Sequence, residues 1–493
     1  MIYQPEQVAE MWDTWLYYRD STHYLYYLHK STGDKWDGMS VATSTDGVHF
    51  EESGPIISKR EDAKWLGTGS IWQAGDRFIL NFSESRNGVQ AIFFAESKDL
   101  IRWERLGDDL RSDPDPRWYD NAKTGRWDCI WALPKPEGTG FYGYLTARPW
   151  NKTPGISFDS VGMVESDDGL HWRGFTPPVF VWGGWPQMSL GEVGAVEEIG
   201  GRYFLMLGFG ECYLGNRWVR NDLHDARAGM YSFVADKPEG PYSPDPGAYR
   251  LLVSNGTYFS RFYRMPDEVL VNHHSIELVG EGPLVWMAPL KKAVVDADGH
   301  LRLGYWSGNE SLKGVEQEIN LSQANRIYPT ITPGACEATA GRLESDEPAA
   351  GGVFLLGETF DFEQGIMLEG EITVFPSDRP WAGIGLFVKH EGARGSGTGI
   401  LIQTRGRTEI GSMANPARGT FVPKHRFDVG LDPRIRHDLQ LLLRRTMIEL
   451  YLDDRLVLCH SLEDKPSDTL GFIHEGGRAV FENVRVWRMN LES

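Results

Sequence analysis

Long apolar runs are missing from this chain. No stretch approaches the roughly 18 uninterrupted apolar residues of a membrane helix, so a membrane is not expected as a partner. Positive charge is also in short supply: 50 Lys and Arg stand against 69 Asp and Glu, a formal net charge of −19. A surface of that sign repels phosphate backbones, so no nucleic acid partner is expected. Cysteine is scarce. The four in 493 residues, Cys129, Cys212, Cys336 and Cys459, lie too far apart for metal-ligand spacing. The thiols therefore read as reduced and structural, with no metal and no cofactor implied. The opening residues, MIYQPEQVAEM, carry acids and lack the basic and apolar stretches of a signal peptide, so the expected location is cytoplasmic. Helix signals are weak up to about residue 330.

Aromatic residues and glycine are what the chain has in quantity. Trp, Tyr and Phe make up 12% of it, and 56 residues are Gly. Aromatics favour strands and stack on sugar faces, while Gly supplies turns, so the composition predicts an all-β protein. A degenerate repeat supports this. Residues 40–50 read SVATSTDGVHF, residues 93–103 FFAESKDLIRW and residues 161–172 VGMVESDDGLHW, with a looser copy, YSFVADKPEGPY, at 231–242. Their turn aspartates, Asp46, Asp99, Asp168 and Asp236, lie 53, 69 and 68 residues apart. That spacing fits one hairpin per blade of a β-propeller, with about five blades before residue 330. The Gly-, Ala-, Pro- and acid-rich stretch 332–352 then reads as a linker, and short alternating strands resume beyond it. The expected organisation is a five-bladed β-propeller over 1–335 and a β-sandwich over 345–493.

A propeller brings its innermost strands together at one mouth, so acids far apart in sequence can converge there. Three carboxylates stand out at the start of blade-like units: Asp13 in MWDTW and Asp128 in RWDC, both beside aromatics, and Glu192 in LGEVGAV, ahead of the strand at 202–208. Glycoside hydrolysis needs two carboxyl groups across the scissile bond, and a third can hydrogen-bond sugar hydroxyls or tune the acid. With 69 acids in the chain, composition alone does not select this triple.

The motifs around these residues do more. The chain resembles the five-bladed propeller glycosidases, specifically glycoside hydrolase family 32, the β-fructofuranosidases. Trp12-Asp13-Thr14-Trp15, with LYYRDSTHYLYYLHK after it, is similar to the family's Trp-Met-Asn-Asp-Pro-Asn-Gly segment, which holds the nucleophile. Asp128, followed by CIWALPKPEGTGFYGYLTA, resembles the Arg-Asp-Pro motif of the transition-state stabiliser. Residues 191–207, GEVGAVEEIGGRYFLML, resemble the segment around the family's Glu-Cys acid/base and put Glu192 in that role. The repeated turns, Gly67-Thr68-Gly69-Ser70, and RHDLQLLLRRTMIELYL with Asp453-Asp454 extend the likeness over nearly the whole chain. Departures accompany it. The Asn, Pro and Gly of the first motif are absent, Trp127 displaces the Arg before Asp128, and no Cys follows Glu192. A literal Glu211-Cys212 occurs later, but Glu211 follows a strand where Glu192 precedes one, so Glu192 is preferred. The Asp113-Pro114 and Asp115-Pro116 pairs lie in a polar turn and are poorer candidates.

The resemblance implies a retaining glycosidase acting on fructosyl-containing oligosaccharides or another furanoside, with transfer to a second sugar open through the same intermediate. Glu192 is then expected to have a raised pKa. Stacking platforms are expected among the tryptophans, with Trp12, Trp15, Trp72 and Trp127 nearest the acids or the motifs, and His274 is the member of the His273-His274 pair expected to face the channel. Arg148, Arg227 and Arg261 are read as surface salt-bridge partners, with an anion- or hydroxyl-binding role as the alternative. Two rival readings remain: an inverting arabinofuranosidase or xylosidase of the family 43 kind, and a carbohydrate-binding propeller without catalysis. For the C-terminal domain, packing on the propeller, homo-oligomer formation and polymer binding all stay open.

Overall fold

The computed structural model describes the chain except for residues 33–34, 121–125, 151–159, 182, 184–191, 210–228, 246–249, 254–256, 278–283, 348–350, 378–381, 391–395, 416–418 and 493. It divides into two compact units, one of Ile2–Ile276 with Leu284–Gly308, the other of Met1, Glu277–Pro283 and Asn309–Glu492.

The first unit is all-β and propeller-like. Four antiparallel sheets follow one another along the chain. They are β1 (Glu10–Arg19), β2 (Thr22–Lys30), β3 (Gly38–Ser44) and β4 (Glu51–Ser58); β5 (Ala63–Ala74), β6 (Arg77–Arg86), β7 (Val89–Ser97) and β8 (Glu104–Arg105); β9 (Trp127–Pro134), β10 (Phe141–Ala147), β11 (Ser160–Ser166) and β12 (Arg173–Phe175); and β13 (Glu192–Ile199), β14 (Arg202–Phe209), β15 (Gly229–Ala235) and β16 (Ser243–Pro244), with β17 (Arg250–Val253) added on β15. A further antiparallel set contains β18 (Thr257–Arg264), β19 (Val269–Glu277), β20 (Leu284–Met287), β21 (Lys291–Val295) and β22 (Leu301–Tyr305). The first strands of these sets are neighbours: β1 lies against β5 and β18, β9 against β5 and β13, and β13 against β18.

Middle strands are buried on both faces, which is why β2 (THYLYYLHK) and β6 (RFILNFSESR) show little polar alternation. Their side chains fill wedges between sheets. Trp15, Tyr26, Val41, Leu80, Phe82 and Phe93 pack between the first and second; Trp72, Phe94, Trp127, Ile130 and Leu145 between the second and third; Tyr144, Met163, Val196, Leu205 and Phe233 between the third and fourth. At roughly 1.5–3 kcal/mol per fully buried large apolar side chain, these wedges hold the sheets face to face.

The repeat forms the turn from third to fourth strand. In the first, second and third sheets the aspartate Oδ1 accepts from the two backbone N–H groups that follow: Val48 and His49 on Asp46, Ile101 and Arg102 on Asp99, Leu170 and His171 on Asp168. The serine two residues earlier donates to the same carboxylate from Ser44, Ser97 and Ser166. Gly47 and Gly169 supply the positive φ that the turn needs, and Leu100 adopts it in the second copy.

The C-terminal unit holds two sheets, which meet where the rings of Phe472 and Phe481 lie 4.1 Å apart. Residues 309–335, expected in the propeller, go with this unit: Lys313–Gln317 pairs with Gly477–Met489, and Asn325–Tyr328 with Gly352–Leu355. The expected linker is, in its described part, a hairpin of Ala335–Thr339 and Arg342–Glu347 laid on Gly477–Met489. Its second strand alternates, burying Leu343, Ser345 and Glu347, and Glu347 is ion-paired to Arg326. Polar inward residues hid it from a reading by composition. Among the described cysteines, Cys129, Cys336 and Cys459 are free thiols, and Cys212 lies outside the described residues.

Candidate active site

The innermost strands share a defect. In β1 the register slips between Trp12 and Thr14, leaving Asp13 unpaired at a φ of 39°. In β9 it slips opposite Leu145, with Cys129 at 51°, and in β18 between Tyr258 and Ser260, with Phe259 at 53°. β13 slips between Val193 and Ala195. There Gly194 is required, because a Cβ would stand 2.4 Å from the Ser260 carbonyl oxygen. A bulge adds a residue to one strand and re-aims the side chains beside it. Asp13 therefore sits within β1, at its bulge, and not ahead of the first strand pair.

Side chains from second strands pin these bulges. Asn81 on β6 donates its amide to the Ile130 carbonyl at 2.9 Å and accepts the Ile130 N–H at 2.8 Å, just past the β9 bulge. Thr146 on β10 accepts the Val193 N–H at 2.9 Å, the residue after Glu192. Asn272 on β19 donates to the carbonyl and hydroxyl oxygens of Thr14, both at 3.0 Å, the residue after Asp13. The backbone beside each of the three acids is thus held by a neighbouring sheet.

Two of the acids meet on one arginine. Arg126 donates from Nη2 to Asp128 Oδ2 at 2.8 Å and from Nη1 to Glu192 Oε1. Residues two apart on a strand share a face, so Arg126 aims the same way as Asp128. The other Asp128 oxygen accepts from Ser83 Oγ at 2.6 Å, and Gln90 Nε2 donates to that hydroxyl at 3.1 Å. Gly67 leaves room for this chain, since a Cβ there would lie 2.3 Å from Ser83 Oγ and 3.2 Å from Asp128 Oδ1. Asp128 and Glu192 are buried and Asp13 is partly exposed.

Burial pushes the Asp13 carboxyl up to about 8; the charges of Glu192 and Asp128 add to the rise, and Arg261 and Arg126 oppose it. Burial and the two neighbouring negative charges both favour the protonated carboxyl at Asp13.

The aromatic expectations need correction. Trp127 is wholly buried against Tyr119, with ring centroids 5.0 Å apart. Trp15 is stacked on Tyr26 at 5.8 Å, and Trp72 donates its indole N–H to the Gly169 carbonyl at 3.0 Å. All three fill the wedges between sheets and offer no face to a ligand. His274 is wholly buried as well, and burial lowers its imidazole to about 3, so it stays neutral. It lies 4.6 Å from the Trp12 ring and backs that residue. Trp12, partly exposed and adjacent to Asp13, is the expected aromatic that remains at the site.

Of the other candidates, Glu211 and Arg227 lie outside the described residues. Arg148 pairs with Asp120 at 3.9 Å, and Asp113 and Asp115 pair with Arg111 and Arg117. Arg261 is no surface residue: it is wholly buried on β18. Sequence reasoning missed Ser83, which reaches Asp128, Gln90, which holds Ser83, and Asn272, which holds Thr14 beside Asp13, and it passed over Arg126 because the motif places its Arg one residue nearer.

No protein-family model matches the chain, and no curated protein matches it. Solved structures share its fold. Fructan 1-exohydrolase IIa from Cichorium intybus is similar at a TM-score of 0.70 and 13% identity, over 100% of this chain and 97% of that one. The GH32 β-fructofuranosidase of Bombyx mori gives a TM-score of 0.65 and 13% identity over 98% and 92%. Sucrose-6-phosphate hydrolase from Lactobacillus gasseri gives 0.66 and 13% over 97% and 91%. The fold is therefore that of the family 32 β-fructofuranosidases, as the motifs implied.

Proposed function

We propose that this chain is a retaining glycoside hydrolase of furanosides, with fructosyl-containing oligosaccharides as its first substrates. The observation that carries the reading is Arg126 spanning Asp128 and Glu192 while Asp13 feels the charge of both, on innermost strands of a propeller-like fold. In this reading Asp13 attacks the anomeric carbon and Glu192 protonates the leaving oxygen. Glu192 then takes a proton from water as the glycosyl-enzyme ester is hydrolysed. Asp128, fixed by Ser83 and Arg126, holds ring hydroxyls and offsets positive charge in the oxocarbenium-like transition state. A sugar hydroxyl in place of water gives transfer from the same intermediate.

We also take β18–β22 as the fifth blade and the C-terminal sheets as a sandwich. The adjacency of β18 to both β1 and β13, which closes the ring of innermost strands, supports the first; the contact of Phe472 with Phe481 supports the second. The fructosyl choice rests on what the fold neighbours are named for: one is a fructan 1-exohydrolase and another a β-fructofuranosidase.

The test is a screen of fructosides, arabinofuranosides and difructose anhydrides, reading products and their anomeric configuration by NMR. The expected result is hydrolysis with retention, lost in Asp13→Asn. Inversion would assign the family 43 kind of mechanism. Sugar binding without turnover, unchanged in Asp13→Ala and Glu192→Ala, would leave only a binding propeller.

A further inference from the structure

Arg261 is among the largest fully buried side chains of the protein, and among the described residues no carboxylate lies within ion-pair distance of it. It is wholly buried, and a guanidinium keeps its charge at every working pH. Among the described residues its hydrogen bonds are long ones from Nη2, to Thr68 Oγ1 at 3.4 Å and Cys129 Sγ at 3.2 Å, while Nε and Nη1 have no partner. Its guanidinium carbon lies 4.6 Å from the Phe259 ring and 5.6 Å from the Trp131 ring. A cation enclosed by aromatic rings, a hydroxyl and a thiol is costly unless charge of the other sign lies within reach.

That charge is the acid cluster. Arg261 crosses from β18 to Thr68 on β5 and to Cys129 on β9, the residue after Asp128. Opposite it in the β18–β19 register is Asn272, whose amide holds Thr14, the residue after Asp13. Arg261 thus stands between the strand that carries Asp13 and the strand that carries Asp128. The charged and titratable groups that face Asp13 are Glu192 from β13, Asp128 and the Cys129 thiol on β9 with Arg126 just ahead of them, and Arg261 from β18; β19 brings His274, against Trp12, and β5 brings the neutral Thr68.

We propose that Arg261 is a positioning residue for the reaction: an enclosed, locally unneutralised positive charge that lets Asp13 become the ionised nucleophile beside two other carboxylates. Fixed charges act over longer distances where water is excluded, so direct contact is not needed. Burial, with Glu192 and Asp128, raises the Asp13 carboxyl to about 8, and Arg261 is the foremost group pulling it back. The inference rests on the glycosidase reading for its consequence and on the electrostatics alone for its cause, and the two can be separated.

The test uses the full chain and two variants. Arg261→Met keeps length and apolar packing but removes the charge; Arg261→Lys keeps the charge. The Asp13 carboxyl is titrated by 13C NMR on aspartate-labelled protein, its resonance identified by its loss in Asp13→Asn, so no turnover is required. Arg261→Met should raise the Asp13 midpoint by about one pH unit or more, and Arg261→Lys should leave it near the wild-type value. Where turnover is found, the acid limb of kcat/KM should move with the titration, with kcat falling about tenfold at neutral pH and KM little changed. A folded Arg261→Met whose Asp13 titrates as in the wild type overturns the proposal, because a purely structural arginine would lower thermal stability and leave the titration alone. Should the methionine variant not fold, Arg261→Gln serves as the neutral variant. The wild type gives the remaining check: an Asp13 carboxyl still protonated above about pH 9 overturns the proposal without any variant. Absence of hydrolysis in every variant, with the titration shifted as expected, would sink the glycosidase reading and keep this one.

Discussion

Arg126 Nη2 lies 2.8 Å from Asp128 Oδ2, two residues away on the same face of the chain, and the other arm of the same guanidinium reaches Glu192. A planar fork can serve two carboxylates at once; an ammonium group is a single point charge. Arg126→Lys should therefore hold one acid and release the other, lowering kcat/KM on the order of a hundredfold while the protein stays folded. Arg126→Ala leaves two buried carboxylates without their shared cation and should cost about 3 kcal/mol of stability as well. Denaturant melts beside steady-state kinetics separate the two effects. Equal losses of activity in the two variants would show that the fork is not what matters.

Asp13 gives the protein a pH signature of its own. An unfolded aspartate titrates near ~3.9, whereas in the folded protein burial, Glu192 and Asp128 raise Asp13 to about 8. Between those values the folded state binds the extra proton, so stability attributable to this group falls as pH rises through the window. Below it both states are protonated and the contribution vanishes; above it the penalty is complete. Asp13→Asn should accordingly match the wild type near pH 4, exceed it increasingly toward pH 8, and stay ahead above that by a few kcal/mol, on the order set by linkage. Thermal melts of both proteins across the range measure it. A difference that does not change with pH would show that Asp13 is not perturbed.

Ser83 and Gly67 form a second support for Asp128. The Ser83 hydroxyl donates to Asp128 Oδ1 at 2.6 Å, and Gly67 yields the space in which they meet. Ser83→Ala removes one neutral donor and should cost about 1 kcal/mol in stability and about tenfold in kcat/KM. Gly67→Ala is the more severe change, because its Cβ would lie 2.3 Å from Ser83 Oγ and 2.9 Å from the Trp65 ring. It should cost about 1–3 kcal/mol, and activity should fall with it. A Gly67→Ala protein with wild-type kinetics would show that the Ser83–Asp128 geometry has no part in turnover.

How far the site was legible follows from one rule of strand geometry. Side chains alternate, so the residue beside Asp128 and the residue two before it have opposite fates. Trp127, adjacent, turns into the wedge between the second and third sheets; Arg126, two away, joins the acids. Reading the motif by adjacency alone chose the wrong neighbour. Asp13 and Asp128 stood out as candidates beside aromatics, and the S-x-D turns as a repeat, because both signals are local. Asn81 with Ile130 and Asn272 with Thr14 are 49 and 258 residues apart, and nothing in their own segments marks them. The hairpin of Ala335–Thr339 and Arg342–Glu347 stayed hidden for a different reason: it buries Ser345 and Glu347 where an apolar pattern would be sought.

The tryptophans supply a last discrimination between packing and binding. Trp15 and Trp127 are buried to within 1% of complete, while Trp12 is partly exposed beside Asp13 and backed by His274 and Trp36, whose rings lie 4.6 and 6.0 Å away. A sugar ring can stack only on an indole whose face is open. Trp12→Ala should therefore raise KM about tenfold, the worth of one stacking contact at roughly 1.4 kcal/mol. Its melting temperature should fall only modestly. Trp127→Ala empties a closed wedge and should cost about 3–5 kcal/mol, with KM unchanged in whatever fraction remains folded. Isothermal titration of the saccharide found in the screen, set beside thermal melts of both variants, reads the two quantities independently. If Trp12→Ala behaved like Trp127→Ala, losing stability and keeping affinity, the open side of the site would have to be sought away from β1.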